Sequence, residues 1–197
     1  MLLDTLGFHG PHIMFILTVT QTWKQTPYFI TFLGGFFVNK YINEFLKNVF
    51  REPRPQGLRP LRGLLPEPLD LVKAQSRDWI CQLRAMFSIN NPEQNKLFVS
   101  KVHEYGMPSG HSQSAGYILG YLYFVKSKIL NVSPITSSQS IIFIMISMLC
   151  VITMFQRWES KAHSIPQIAV GVLLGIFVSW IVYTFVHYYV SLPKKMS

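Results

Sequence analysis

Charge is what this sequence has least of: Asp, Glu, Lys and Arg make up 14% of its 197 residues, where a soluble domain carries about 25%. Four stretches, residues 5–23, 105–125, 129–156 and 162–193, contain none of the four, and a fifth uncharged stretch covers 25–39. That distribution excludes an ordinary soluble domain. Cysteine is scarce too. Cys81 and Cys150 are the whole complement, too few for a disulfide framework and wrongly spaced for a structural metal site. The nine acidic residues against 18 basic ones leave a net charge of +9. None of the motifs of DNA or RNA recognition accompanies that charge, so it reads as the basic flanks of membrane helices, with no nucleic-acid partner.

A membrane-crossing helix needs about 20 mostly apolar residues. The runs predict five, near 7–23, 27–50, 110–127, 137–156 and 164–190, hence an all-α integral-membrane bundle forming a single domain over residues 1–197. The first is the weakest, because Gly10, Pro11 and two histidines interrupt it. A cleaved signal peptide is not expected, since Asp4 stands where a basic region belongs. Five crossings put the N-terminus and the segments 51–107 and 157–163 on one side, and Lys24, Lys126, Lys128, Lys194 and Lys195 on the other. The positive-inside rule assigns the purely basic side to the cytoplasm. The long segment then faces a lumen or the exterior.

Residues 53–68, with five prolines and two glycines, end the second helix. Within the segment 56–103, Val72, Trp79, Ile80, Leu83, Met86 and Phe87 recur at helical spacing among charges. That pattern fits an amphipathic helix in the membrane interface or a lid packed on protein. Gly116 and Gly120 in the third helix, and Gly171, Gly175 and Ser179 in the fifth, form small-residue stripes. Such stripes let helices approach closely in lipid, so these two are expected to pack tightly.

Three polar clusters fall at helix ends on the same side: "KNVFREPRP" with Lys47 and Arg54, "PSGH" from Pro108 to His111, and "QRWESKAHSIPQ" with Arg157, His163 and Gln167. Cationic side chains, two histidines and a helix N-terminus together describe a site for a phosphate group. Ser109 and Gly110 can donate N–H groups from the helix start. Arg54 and Arg157 offer planar forks that match phosphate oxygens, and Lys47 adds a point charge. One histidine must be neutral to attack phosphorus and the other protonated to serve the leaving oxygen. Composition and spacing do not say which is which.

In order and spacing these clusters resemble the three signature motifs of the type 2 phosphatidic acid phosphatase superfamily, Lys-x6-Arg-Pro, Pro-Ser-Gly-His and Ser-Arg-x5-His-x3-Asp. The resemblance covers the second to fifth helices and implies a haloperoxidase-like helical core. It implies that His163 is the nucleophile, His111 the general acid, and Lys47, Arg54, Ser109, Gly110 and Arg157 the phosphate ligands. It implies neither metal nor cofactor. Two positions depart: Gln156 stands where the family has Ser, and Gln167 where its Asp would orient the nucleophile. The stretches "ITFLGG", "LKNVFREPRPQG" and "YGMPSGHSQ" are similar to those of the dolichyl diphosphatase branch, which shares the Gln. That likeness implies a dolichyl or other polyprenyl diphosphate substrate and an active site on the lumenal face of the endoplasmic reticulum, or outside the plasma membrane in a prokaryote. Two features differ from that branch: the 52 residues between Pro55 and Pro108, and five helices where six are usual. Three alternatives stay open: another lipid phosphate such as phosphatidate as substrate, phosphotransfer to a lipid alcohol, and a catalytically silent protein that binds lipid phosphates. A vanadium-dependent haloperoxidase is set aside because those enzymes are soluble.

Overall fold

The computed structural model describes residues 2–55, 105–130 and 137–191. They form five helices: α1 (Leu2–Thr22), α2 (Thr26–Phe50), α3 (Gly110–Leu130), α4 (Ser137–Glu159) and α5 (Ile165–Ser191). The all-helical architecture agrees with the sequence expectation. The interfacial helix expected within 56–103, Cys81 and the terminal lysines lie outside the described residues.

Length and composition suit three segments for crossing a membrane: Leu2–Thr22, Ser140–Glu159 and Ile165–Tyr189. Helices α2 and α3, which were also expected to span, are more polar, and their packing explains why. Helix α3 is central and touches all four others. Ser112, Gln113 and Ser114 on its first turns are buried in protein, as are Asn39, Lys40 and Asn43 on α2. Large apolar side chains such as Ile30, Phe37, Ile144, Leu173 and Phe185 point outward instead. This distribution suits a bundle whose solvent is lipid, because a buried polar group there needs a protein partner.

The tightest pair is α3 with α5, as the glycine stripes predicted. A Cβ on Gly116 would lie 2.5 Å from the Val172 carbonyl oxygen, and one on Gly171 would lie 2.7 Å from that of Ser109. Backbone meets backbone along this seam. The second pair, α1 with α4, was not anticipated. There Gly7 faces the Gln156 side chain and Gly10 faces Thr153. Pro11 sits inside α1 without ending it. The features that weaken α1 as a sequence pattern are those that bring it against α4.

At the centre, Tyr117 and Tyr121 donate to the carbonyls of Phe32 (3.0 Å) and Tyr28 (2.6 Å) on α2. Closer to the membrane surface, Gln113 donates to the Asn39 carbonyl and side chain, both at 2.9 Å, and accepts from Asn43 Nδ2 at 2.7 Å. Asn39, Asn43 and Lys47 recur every four residues, so one stripe of α2 carries both the structural amides and the first site cation.

Candidate active site

The chain leaves α2 through Arg51, whose left-handed backbone (φ 49°) stops the helix while its N–H donates to the Lys47 carbonyl at 3.0 Å. Residues 52–54 then run beside 105–106. Pro53 pairs with Tyr105 in an antiparallel bridge, and the Gly106 N–H donates to the Glu52 carbonyl at 2.7 Å. The first two sequence clusters are thereby clamped together although some fifty residues separate them. On the opposite side, the Ser109 N–H donates to the Gln167 carbonyl at 3.1 Å, joining the second cluster to the third.

His163 sits where the three meet, 3% exposed, just ahead of α5. Its Nδ1 lies 2.9 Å from the Gly106 carbonyl oxygen. A carbonyl only accepts, so Nδ1 carries the proton and Nε2 keeps its lone pair. Burial, followed by the positive charges of Arg157, Arg54 and Lys47, holds the His163 pKa well below 6.5, against an opposing pull from the Gly106 carbonyl. The ring is therefore neutral near pH 7, with a basic nitrogen facing a cationic surrounding.

The three cations reach His163 from separate elements. Lys47 comes from the last turn of α2, and its Nζ lies 3.8 Å from a Cβ built on Gly110, at the mouth of α3. Arg54 follows the bridge, with a buried Nε that has no hydrogen-bond partner. Arg157, 1% exposed, comes from the end of α4, and its carbonyl accepts from the His163 N–H at 3.2 Å. His111, in the first turn of α3, is close enough to His163, Arg157 and Lys40 to feel their charges. Its ring lies against Phe8 of α1, centroids 5.5 Å apart.

Two sequence expectations change in detail. Ser109 was expected to offer its backbone N–H to phosphate, but that group donates to Gln167; its hydroxyl lies 3.0 Å from that of Ser112. Gln167 was expected to orient His163 directly. The atom holding Nδ1 is instead the Gly106 carbonyl, and Gln167 backs Gly106: a Cβ there would lie 2.5 Å from Gln167 Oε1. Gln167 Nε2 donates to Glu52 Oε1 (2.9 Å) and to the Pro53 carbonyl (3.0 Å), and its Oε1 accepts from the Ser164 N–H (3.2 Å). An amide both donates and accepts here, a combination no carboxylate can reproduce. Gln156, the other departure, is fully buried against Gly7 with both amide atoms unpartnered.

Glu52, Gly106, Asn43, Gln113 and Phe8 were missed by sequence reasoning. Only the four-residue spacing of Asn39, Asn43 and Lys47 on an apolar helix offered a signal.

Comparison with known proteins gives one match. The family model described as the PAP2 superfamily covers residues 28–191, from α2 to the end of α5. No curated protein and no solved structure matches.

Proposed function

The chain belongs to the PAP2 superfamily, whose members are phosphatases of lipid phosphates, and from that premise we propose that it removes the terminal phosphate of a polyprenyl diphosphate, dolichyl diphosphate foremost. The observation that carries the reading is the state of His163: proton held at Nδ1 by the Gly106 carbonyl, lone pair at Nε2, three cations around it.

In this mechanism Nε2 of His163 attacks the terminal phosphorus, and an N–P bond forms as the bond to the bridging oxygen breaks. Protonated His111 gives its proton to that oxygen, and the lipid monophosphate leaves. Water, deprotonated by His111, then attacks the phosphohistidine and releases inorganic phosphate. Lys47, Arg54 and Arg157 neutralise the oxygens of the phosphoryl group during both transfers, while Gly110, having no side chain, lets the anion approach the start of α3. These cations do the work for which other phosphatases use divalent metal, so the reaction is metal-independent. Glu52 and Gln167 act through Gly106 by keeping its carbonyl aimed at Nδ1.

The dolichyl assignment is supported by Gln167 and by the wording around the first two motifs. With it go an endoplasmic reticulum location, a lumenal site and a place in recycling the lipid carrier of N-glycosylation. To test the reading, phosphate release from dolichyl diphosphate would be followed with purified protein in EDTA. Steady release in wild type, a drop of at least about 10⁴-fold in His163→Ala, and an acid-labile phosphoenzyme absent from that variant are expected. Release from phosphatidate but not from the diphosphate would move the substrate within the superfamily. Absence of release from either lipid would point to a silent lipid-phosphate-binding protein.

A further inference from the structure

A cavity of about 330 Å³ adjoins the site on the side of His111. Its walls are largely apolar, formed by Pro11, Phe15 and Ile16 of α1 and Phe36 of α2, and Lys40 and His111 are among the polar residues that complete its lining. Ile16 is 62% exposed, so the cavity reaches the outer, lipid-facing surface. It does so between α1 and α2, which pack sparsely. None of the three motifs includes a residue of its apolar walls.

Lys40 is the unexpected member. It is 7% exposed, on the protein-facing side of α2, with its Nζ 6.0 Å from the Phe36 ring centroid. A charged side chain held inside a membrane helix is costly and marks a ligand or ion path. Lys40 precedes Lys47 by seven residues and shares its side of α2, about 10 Å deeper at 1.5 Å per residue. His12, which also lines the cavity, and Lys40 both bear electrostatically on His111.

We propose that this cavity is the leaving-group site, in which Lys40 and His12 hold the inner phosphate of a lipid diphosphate while the first carbons of its chain lie along Phe15, Ile16 and Phe36. The inference rests on the phosphatase reading above and deepens it. Its chemistry is selective. When a diphosphate is cleaved the leaving group is a phosphate anion, whose growing charge a buried ammonium stabilises. When a monophosphate ester is cleaved the leaving group is a neutral alcohol, which gains little from Lys40. The order of groups also matches the lipid: terminal phosphate at His163 near the membrane surface, inner phosphate deeper, chain passing outward beside Ile16.

The test compares kcat/KM for a polyprenyl diphosphate, the matching polyprenyl monophosphate and inorganic pyrophosphate, with full-length protein in nanodiscs. Lys40→Met keeps the length of the buried stem and removes the charge. It is expected to lower the preference for diphosphate over monophosphate lipid by about 10- to 100-fold, the range of a charge-assisted hydrogen bond. Ile16→Trp, at an exposed position that does not threaten folding, is expected to raise KM for the polyprenyl diphosphate at least about fivefold relative to that for pyrophosphate. A wild type without preference for the diphosphate overturns the substrate reading and this site with it. A wild-type preference left intact by Lys40→Met, or lost equally on both lipids, overturns the leaving-group site alone, as does an Ile16→Trp effect equal on lipid and pyrophosphate.

Discussion

Two helix pairs hold the bundle, and they are packed by different means. Between α3 and α5 three of four glycines meet backbone, Gly116 lying on Val172, Gly171 on Ser109, and Gly175 on the turn from Gln113 to Tyr117, while Gly120 faces the Ser179 hydroxyl. Between α1 and α4 the glycines meet side chains, Gln156 and Thr153, whose buried polar atoms lack hydrogen-bond partners. A backbone cannot rotate away from an added atom, whereas a side chain can. The first pair carries "PSGH" and the segment of His163, so the groups proposed to react stand on the seam with least freedom. The second pair contributes only α1 to the wall of the apolar cavity, whose other lining residues come from α2 and α3. Rigidity around the proposed site and latitude along α1 thus fall to separate seams.

The comparison is most severely tested at Gly175. An added methyl would run into the Gln113 carbonyl and lie 2.6 Å from the Tyr117 nitrogen. Since neither can move without shifting a helix, Gly175→Ala is expected to destabilise by about 3 kcal/mol, the upper end of overpacking. It should separate Gln113 from Asn39 and Asn43. Thermal unfolding in detergent, with phosphate release on the same sample, would measure both effects. A variant as stable and active as wild type would remove the distinction between the seams.

Charge at the site offers a second break, smaller for folding and large for rate. Arg54→Met removes one of the cations around His163 and is expected to lower kcat about 10²- to 10³-fold. It also has a pH signature. If His163 is the nucleophile proposed above, protonating it produces the acid limb of kcat/KM, and its lowered pKa places that limb below pH 6.5. Activity is therefore retained as pH falls through 6.5 and lost only near the depressed value. Taking away Arg54 removes one cause of the depression, so the limb moves upward. It stays below 6.5, because burial is the largest cause. A limb moving to lower pH in Arg54→Met would contradict the placement of this arginine beside His163.

Gln167→Asp sharpens the picture at the nucleophile. Restoring the carboxylate of the family motif would naively be expected to speed the reaction. Here it would set a second carboxylate against Glu52 Oε1, now 2.9 Å from Gln167 Nε2, and it would take away a donor to the Pro53 carbonyl. Activity is expected to fall about tenfold, a loss comparable to one charged hydrogen bond. Glu52→Gln in the same chain should recover part of it. A gain in the single variant would show that the amide is a defect and not an adaptation to Glu52.

Much of this was legible in the sequence because it is written in local chemistry. Charge-free runs gave away the helices, and glycine stripes identified the α3 and α5 pairing. Lys47, Arg54, Arg157, His111 and His163 stand out because they fall, with motif spacing, in three clusters at helix ends on one side, more than flanking charge alone requires. Other parts have no local signature. Gly106 orients His163 through a backbone carbonyl, which every residue possesses. Glu52 reads as a surface charge until Gln167 is folded onto it. Phe8 and His12 lie beside His111 on α1, whose Gly7 and Gly10 face α4, whereas in the sequence Gly10, Pro11 and two histidines only made this the weakest of five expected spans. Lys40 shows in the sequence only as the charge that ends the fifth uncharged stretch, and its burial has no local signature.

The smallest effects decide whether the α1–α4 seam is as yielding as its contacts imply. Gly10→Ala places a methyl against the Thr153 hydroxyl, which has no hydrogen-bond partner to lose when the side chain rotates. The crowding is offset by the helix preference of Ala over Gly, about 1 kcal/mol, so the net change is expected to stay within about 1 kcal/mol. Gly34→Ala supplies the reference, because nothing lies within 4 Å of the added atom and only the helix preference operates. Stabilities should therefore rank Gly34→Ala at or above wild type, Gly10→Ala close to wild type, and Gly175→Ala well below. If Gly10→Ala fell as far as Gly175→Ala, Thr153 would be as immobile as a backbone carbonyl, and the latitude assigned to α1 beside the apolar cavity would have to be sought between α1 and α2 alone.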